Sequence, residues 1–589
     1  MKDFFKNVFS TIVGLFLFSV IMTIFGFISL FGMIAVGSQT TEIANNSVLV
    51  VNLSGVMNER EESDFMSELT GKVSNKIGLE DFMNGIKKAK TNDNIKGIYL
   101  EAGAFVPNSI ASLQEVRAAL EDFKKSGKWV VAYGDIYTQG TYYLASVANK
   151  VYINPQGQID WRGLSSQPIF LKDVLAKFGV KMQVAKVGTY KSATEQFTGE
   201  KMSDADRQQT TAYLTSMWGN ITKEVGKSRN ISVEKLNEYA DNLALLNTAE
   251  EYKKLKMVDG LLYTDQVKGE IKKLLKLGSD ENISQVSLAD LRDIDEDYTG
   301  DEIAVYYAYG NIVDGAAGGT FSGETVIDGQ VVCKDIEALM NNENVKAVVI
   351  RVNSGGGSAY ASEQIWHQIV ELKKKKPVVI SMGGMAASGG YYISAPANWI
   401  VAEPTTITGS IGIFGMFPDF SQLLTEKLGV KFDEVKTNKN ASFGTMARPF
   451  NAEEIAYLER YIARGYNLFK SRVAAGRKIS DSQVENVAQG HVFTGEDALK
   501  IKLVDELGGL DKAIAKAAAI AKIDDYYTAT YPAKADWMDQ LFYKATTGNY
   551  LDEQLRAGLG SYYESFAFIK NINQHAAIQA RIPYLPNIH

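Results

Sequence analysis

The sequence predicts an α/β protein made of two tandem repeats that follow an N-terminal transmembrane helix. Three observations lead to this prediction: a long uncharged run near the N-terminus, an internal repeat offset by 246–250 residues, and strand-like segments alternating with helix-like ones in each copy. The length of 589 residues also exceeds what one hydrophobic core usually serves, so two or more domains are expected.

The N-terminal run covers residues 8–36, which carry no charge and include "IVGLFLFSVIMTIFGFISLFGMIAV". About 20 apolar residues span a bilayer, whereas the apolar part of a cleaved signal peptide is roughly 7–15 residues long. Lys2 and Lys6 precede the run, so the positive-inside rule keeps the N-terminus in the cytoplasm and sends the remainder across the membrane. We therefore expect residues 1–40 to be a membrane anchor.

Matching segments along the rest of the chain define the repeat. "NDNIKGIYLEAGA" in the first copy matches "NENVKAVVIRVNS" in the second, and "TAEEYKKLKMVDGL" matches "TGEDALKIKLVDEL". The acidic segment "DIDEDYTGDE" between the copies is the predicted linker. The predicted units are the first α/β repeat, the second α/β repeat and a C-terminal extension, over residues 45–295, 301–525 and 526–589.

Within each copy, short β-branched runs alternate with amphipathic stretches. In the second copy "AVVIRV" and "PVVISM" are predicted strands, and "SAYASEQIWHQIVELKKKK" is a predicted helix with Ser358 as its N-cap. This order is typical of right-handed βαβ units and a largely parallel sheet. Ligands of such sheets bind beyond the carboxyl ends of the strands, which is where Gly355, Gly356, Gly357 and Ser388 fall.

Composition excludes several other classes of site. The net charge is −7 and no basic stripe is present, which argues against a nucleic-acid partner. The single cysteine, Cys333, excludes intrachain disulfides, CxxC redox motifs and thiolate zinc sites. We expect neither a metal nor a cofactor.

The two copies differ where chemistry is expected. Ser388, in "AASGGYYIS", lies over Gln139 of the first copy, and Gly389 lies over Gly140. The glycine-rich "NSGGGS" is replaced by "EAGAFV" in the first copy. A purely structural turn would be similar in both copies, so the difference favours a nucleophilic Ser388 over a small residue in a tight turn.

A serine nucleophile needs a base that takes its proton. The four histidines are His367, His491, His575 and His589; a Ser-His-Asp triad through His491 stays open, although no GxSxG motif supports it. The other candidate is Lys191 in "VGTYKSATEQF", which is set among small and hydroxyl residues and has Ala441 as its counterpart. Burial lowers the pKa of a lysine, and a neutral amine can act as the base.

Further positions complete the predicted site. Ser192 is a candidate for orienting the Lys191 amine by hydrogen bonding. Gly389, Gly356 and Gly357 are candidates for the oxyanion hole, because glycine lets a substrate approach backbone N–H groups closely. We interpret Ser410, in "TGSIGIFG", as part of an edge that pairs with an extended substrate and not as the nucleophile.

The motifs "GTYKSATE", "RVNSGGGS", "AASGGYYIS" and "TGSIGIFG" resemble the signal peptide peptidase A family in its long protease IV form. The resemblance covers nearly the whole chain and implies Clp protease/crotonase-like repeats, with Lys191 as general base and Ser388 as nucleophile. It also implies a homotetramer, anchored by one span in the inner membrane, whose catalytic domains face the periplasm and degrade remnant signal peptides. Two departures are Gly355 where the family has proline in "NSPGG", and "KSATEQF" where it has "KSAVEPF".

The alternatives from other classes are a non-hydrolytic crotonase-fold enzyme acting on acyl-CoA and an inactive membrane scaffold. A crotonase-type enzyme needs neither a serine nucleophile nor an anchor. Ser388, Lys191 and the N-terminal run together count against a crotonase-type enzyme, whereas a scaffold would keep its function after Ser388→Ala.

Overall fold

The structure is a computed structural model, and it describes residues 6–25 except 8, 12 and 23, and residues 42–60, 76–292, 299–315, 325–533 and 578–581. Over these residues the chain forms three β-sheets, one within each repeat and a third to which both repeats contribute.

The strands are β1 Ser47–Asn58, β2 Lys76–Gly78, β3 Ile95–Val106, β4 Trp129–Tyr137, β5 Lys150–Ile159, β6 Lys181–Lys186, β7 Gly260–Leu261, β8 Gln285–Val286, β9 Asp301–Tyr309, β10 Asn311–Val313, β11 Val326–Asp328, β12 Val345–Ser354, β13 Gly356–Ser358, β14 Val378–Ala387, β15 Trp399–Ala402, β16 Ile407–Gly409, β17 Phe414–Asp419, β18 Val492–Thr494, β19 Glu506–Leu507, β20 Tyr526–Tyr531 and β21 Ile578–Arg581. The labelled helices are α1 Leu79–Thr91, α2 Ile110–Lys124, α3 Gln139–Ala145, α4 Lys172–Lys177, α5 Glu195–Thr198, α6 Asp204–Arg229, α7 Val233–Asp241, α8 Ala249–Lys254, α9 Thr264–Leu275, α10 Leu288–Arg292, α11 Gly329–Asn341, α12 Ala359–Lys375, α13 Gly389–Ser394, α14 Ala452–Arg477, α15 Asp481–Val487, α16 Gly495–Lys500 and α17 Leu510–Ala521.

The first repeat is organised around a sheet of order β2-β1-β3-β4-β5-β7, in which β8 also pairs with β1 and every pairing is parallel. The second repeat has the order β18-β16-β14-β12-β9-β20, with parallel pairing except between β16 and β18. The prediction of largely parallel sheets is therefore confirmed. The long helices α6 and α14 occupy corresponding places in the two copies, and each has 26 residues.

Two strands of the second sheet lie at the predicted boundaries between units. Strand β20 pairs in parallel with β9 along its whole length, so the second sheet continues past the predicted boundary at residue 525. Of the predicted linker, residues 293–298 lie outside the described residues, and its last two residues, Asp301 and Glu302, begin β9.

The third sheet, of order β11-β10-β13-β21-β17-β6, joins the repeats. Strand β6 of the first repeat pairs antiparallel with β17 of the second, from Lys181 opposite Asp419 to Lys186 opposite Phe414. Because of this pairing, the residues that follow β6 lie against the second repeat. Strand β21, from the predicted C-terminal extension, lies between β13 and β17.

A buried ion-pair group also links the repeats. Arg351 of β12 places Nε 3.0 Å from Glu59 Oε2 and Nη2 2.5 Å from Glu115 Oε1, both in the first repeat. Its Nη1 donates to Ser381 Oγ at 3.0 Å. The three charged side chains are at most 2% exposed, so each of the two carboxylates depends on Arg351 for compensation.

Only part of the predicted anchor is described. Residues 6–25 are helical wherever they are described, and their apolar side chains are exposed, Phe16 and Phe18 by 67% and 62%. No helix in the described part of the chain is both long and apolar enough to cross a membrane. Residues 1–5 and 26–40 of the predicted anchor lie outside the described residues.

Candidate active site

Ser388 lies at the junction between β14 and α13, at the carboxyl end of a central strand of the second sheet. Its φ of 55° and ψ of −113° are uncommon for a residue with a side chain, and its N–H donates to Gly409 O at 2.8 Å. The residue is fully buried. Such backbone strain concentrates at functional sites, where the surrounding structure holds it in place.

The first repeat shows what an ordinary residue does at this junction. Thr138 is the N-cap of α3, and its hydroxyl accepts from Thr141 N at 3.2 Å. Gln139, which the sequence comparison placed over Ser388, accepts with Oε1 from the N–H groups of Arg162 and Gly163. Ser388 is the N-cap of α13 but makes no side-chain capping bond. The Ser388 hydroxyl therefore does not cap the helix and is free to contact another side chain.

Lys191 is the hydrogen-bond partner of the Ser388 hydroxyl. It follows β6 and precedes a 3₁₀ turn, Ser192–Thr194, and its Nζ lies 2.8 Å from Ser388 Oγ. The other described partners of Nζ are Ser410 Oγ at 3.0 Å and Ser410 O at 3.2 Å. Lys191 is 0% exposed, and this burial lowers its pKa well below the ordinary value, because a charged ammonium is poorly solvated there.

Residues of the second repeat enclose the lysine. Tyr190 N donates to Gln489 O at 3.0 Å. Gly490 has a φ of 77°, and a Cβ on it would come within 2.7 Å of Lys191 Cα and Cβ. A residue with a side chain at position 490 would therefore displace Lys191. The lysine belongs to the first repeat in sequence, but the second repeat buries it.

Ser192 does not have the predicted contact. Its hydroxyl donates to Asp206 Oδ1 at 2.6 Å and accepts from Gln209 Nε2 at 3.1 Å, and it is not among the described partners of Lys191 Nζ. The group formed by Ser192, Asp206 and Gln209 anchors the turn after Lys191. The hydroxyl next to the lysine in sequence thus fixes the backbone, while a distant hydroxyl contacts the amine.

Ser410 is that distant hydroxyl, a contact that its interpretation as part of a substrate-pairing edge does not include. The strand before it, β16, is already paired on both sides, with β14 and β18. Ser410 itself is buried, has a φ of 50°, and directs both its hydroxyl and its carbonyl oxygen to Lys191 Nζ.

His491 is placed differently from a triad base. Its ring stacks on Tyr190 with 4.2 Å between ring centroids, and burial lowers its pKa. Among the hydrogen bonds of the described residues, none joins the His491 imidazole to Ser388. Its main-chain oxygen accepts from Ser410 N at 2.7 Å, so its visible contribution is to hold Ser410 in place.

The three predicted oxyanion glycines are not equivalent. Gly389 is the first residue of α13, so its N–H has no partner within the helix. Gly356 lies against it: a Cβ on Gly356 would come 2.7 Å from Gly389 N. The N–H of Gly356 already donates to Ser354 Oγ at 3.1 Å, and Gly357 pairs with Ile312 of β10. Gly389 is therefore the best placed of the three.

Comparison with known proteins adds to this geometry. The family model for peptidase family S49 matches residues 122–278 and 370–524, one segment in each repeat. Protease 4 of Salmonella typhi is 37% identical over 86% of this chain and 83% of its own, and Protease 4 of Haemophilus influenzae is 37% identical over 82% and 80%. The chloroplastic serine protease SPPA of Arabidopsis thaliana is 31% identical over 82% of this chain and 70% of its own.

A solved ClpP1 mutant from Listeria monocytogenes covers 36% of this chain and 94% of its own at 16% identity, with a TM-score of 0.24, which is too low to carry an argument. The family match and the three relatives decide against the non-hydrolytic enzyme and the inactive scaffold. The chain belongs to peptidase family S49 and is a serine peptidase.

Proposed function

We propose that this peptidase works through a Ser-Lys dyad, with Ser388 as nucleophile and Lys191 as general base. The observation that carries the proposal is the 2.8 Å separation of Lys191 Nζ and Ser388 Oγ in a fully buried site. The two residues are 197 positions apart and come from different repeats.

The contacts of the amine suit its neutral form. A neutral lysine has two N–H donors and one lone pair. Two acceptors, the hydroxyl and the carbonyl of Ser410, are available for the N–H groups. The lone pair is then left for the proton of the Ser388 hydroxyl. Burial supports this state because it disfavours the ammonium.

In the proposed reaction Ser388 attacks a peptide carbonyl and passes its proton to Lys191, which later gives it to the leaving amine. The carbonyl oxygen becomes negative as the C–O bond forms. The N–H of Gly389, which has no partner within α13, would stabilise this charge, with the backbone of Gly356 close beside it. Water then hydrolyses the acyl-enzyme.

Remnant signal peptides and other apolar peptides are the proposed substrates. This follows from the family resemblance and from the apolar run over residues 8–36, which would hold the peptidase where such peptides are released. The same proposal includes anchoring by one span in the inner membrane, catalytic repeats on the periplasmic side and assembly as a homotetramer. The exposed apolar side chains of the described N-terminal helix support the anchor.

Labelling by a fluorophosphonate and hydrolysis of an apolar reporter peptide test the dyad. We expect the detergent-solubilised wild-type chain to be labelled and active, and Ser388→Ala to lose the label and roughly 10⁴-fold in rate. Ser394→Ala removes another buried hydroxyl, which donates to Gly390 O, and should keep both properties. Full activity of Ser388→Ala would refute the proposal.

Ser410→Ala tests how the base is positioned. In the wild type the rate should rise with pH as Lys191 loses its proton, with a midpoint well below 10.5 because burial lowers this pKa. The Ser410 hydroxyl binds the ammonium more strongly than the amine, so its removal should move the midpoint to lower pH. The plateau rate should fall by about 10–100-fold, because the amine is held less well. An unchanged pH profile and plateau in Ser410→Ala, with Ser394→Ala as control, would contradict this role.

A further inference from the structure

Gln209 of α6 contacts the residues on both sides of Lys191. Its side-chain Nε2 donates to Tyr190 O at 3.2 Å and to Ser192 Oγ at 3.1 Å. The same nitrogen lies 3.0 Å from Oδ1 of Asp206, one turn earlier in the helix. Gln209 is 1% exposed, so these bonds form away from bulk water. The amide nitrogen therefore fixes the turn that carries the proposed base.

The oxygen of the same amide reaches the second repeat. Gln209 Oε1 accepts from Val492 N, in β18, at 3.2 Å. The carbonyl oxygen of Tyr190 can only accept and the N–H of Val492 can only donate, so these two partners fix the orientation of the amide. One side chain of the first repeat thus joins the Lys191 turn to β18.

The chain at the start of β18 leads back to the amine of Lys191. His491, which precedes Val492, accepts from Ser410 N through its main-chain oxygen at 2.7 Å. Ser410 in turn contacts Lys191 Nζ with its hydroxyl at 3.0 Å and its carbonyl oxygen at 3.2 Å. The contacts form a closed series that runs from the Lys191 backbone through Gln209, β18 and Ser410 to the Lys191 amine.

We propose that Gln209 is a positioning residue for peptide hydrolysis, which holds the Lys191 turn and the segment that supports Ser410 at the separation that proton transfer needs. The inference rests on the proposed dyad. None of the described hydrogen bonds joins Gln209 to Lys191 Nζ or to Ser388. Gln209 therefore acts through the backbone on either side of the base and through β18.

A ring contact links the same two segments but does not replace the amide. Tyr190 and His491 stack with 4.2 Å between their ring centroids. Stacked rings tolerate offsets, whereas hydrogen bonds weaken steeply when their direction changes. Without Gln209 the segments should stay together but shift, and a displacement of about 1 Å at a catalytic group can cost about 10²-fold in rate.

Gln209→Met tests the inference, with Gln114→Met as the matched control. Gln114 is also a buried amide that joins the repeats, since it is 5% exposed and its Oε1 accepts from N and Oγ1 of Thr405. We expect Gln209→Met to lower kcat for the reporter peptide by about 10²-fold with little change in KM. Gln114→Met should cost stability but keep kcat near the wild-type value.

The pH profile is a readout that a purely structural role would not move. Burial lowers the pKa of Lys191, so an amine that shifts toward water in Gln209→Met should titrate at higher pH. The midpoint of the rate should rise, opposite to the shift expected for Ser410→Ala.

Gln209→Glu keeps the inference testable if Gln209→Met does not fold. The carboxylate still accepts from Val492 N but has no N–H for Tyr190 O, so kcat should fall. The added negative charge favours the ammonium form of Lys191, so the midpoint should rise in this variant too. An unchanged midpoint, or a kcat no lower than that of Gln114→Met, would overturn the inference.

A double-mutant cycle distinguishes a shared contact from two separate effects. Gln209→Met combined with Ser410→Ala should lose less than the product of the two single losses, because both residues position the same amine. Losses that simply multiply would count against the inference. Its failure differs from failure of the dyad: if the dyad is wrong, Ser388→Ala will still hydrolyse the reporter peptide, whereas failure of the present inference alone leaves Ser388→Ala inactive.

Discussion

Replacing Lys191 by methionine should lower kcat/KM for peptide hydrolysis by roughly 10⁴-fold or more. Methionine fills similar space in the buried site but cannot take the proton of Ser388, which lies 2.8 Å from the amine. No described hydrogen bond offers the serine another base, and the His491 ring stacks on Tyr190 instead. Rate measurement with a reporter peptide, together with fluorophosphonate labelling, checks the expectation.

The Tm of Lys191→Met shows whether a loss of activity in this variant comes from unfolding. Because the pKa of Lys191 is lower in the folded protein, the unfolded chain binds more protons between the folded and the unfolded pKa, and the buried lysine costs stability below the unfolded pKa. The cost grows as pH falls from the unfolded pKa toward the folded one. The Tm of Lys191→Met at neutral pH should therefore equal or exceed that of the wild type. Lys439→Met, which removes a surface lysine 73% exposed, should leave the rate unchanged.

An active Lys191→Met variant would contradict the dyad. If His491→Ala then lost activity, the Ser-His arrangement would replace it.

Arg351→Met should produce the largest loss of stability, about 3–5 kcal/mol. The change leaves Glu59 and Glu115 buried without their common partner, and burial already raises the pKa of Glu115. Both carboxylates belong to the first repeat and Arg351 to the second, so the contact between repeats should weaken as well. Chemical denaturation of the detergent-solubilised chain measures the change.

Two variants distinguish charge burial from simple loss of an ion pair. Glu59→Gln and Glu115→Gln combined with Arg351→Met should recover most of the lost stability, since no uncompensated charge remains. Lys374→Met breaks an exposed pair with Glu371 and should cost less than about 1 kcal/mol. If Arg351→Met lowers the free energy of unfolding no more than Lys374→Met does, the buried ion-pair group does not stabilise the fold as expected.

The internal repeat made much of the architecture predictable. Matching strand and helix segments predicted two parallel sheets, because local periodicity survives in both copies. The difference between Ser388 and its first-copy counterpart favours this serine as nucleophile, and the small and hydroxyl residues around Lys191 favour it as the base. The atomic contact between them depends on the β6–β17 ladder, which joins distant segments and has no local sequence pattern.

Other features of the site were missed for identifiable reasons. Ser192 adjoins Lys191 in sequence, but the chain turns after the lysine and directs this hydroxyl to Asp206. The glycines around Ser410 favour an edge that pairs with an extended substrate, and they do not reveal its contact with Lys191 Nζ. Its first-copy counterpart region, "QIDWRGL", differs from "TGSIGIFG", so the comparison that selected Ser388 could also have selected Ser410. Strand β21 has only four residues and no strand-like alternation, so only its partners reveal it.

Because Gln489 and Gly490 enclose Lys191, this lysine can become buried only late in the synthesis of the chain. A ribosome completes the first repeat long before it adds the residues that bury this lysine. Until then Lys191 lacks the surroundings that lower its pKa, and Ser388 has not been synthesised. If Lys191 and Ser388 act as proposed, the nascent chain carries an ammonium group at position 191 and still lacks its nucleophile. The proposed dyad is complete only after Gly490 has been added, so the chain would cleave no peptide earlier in its synthesis.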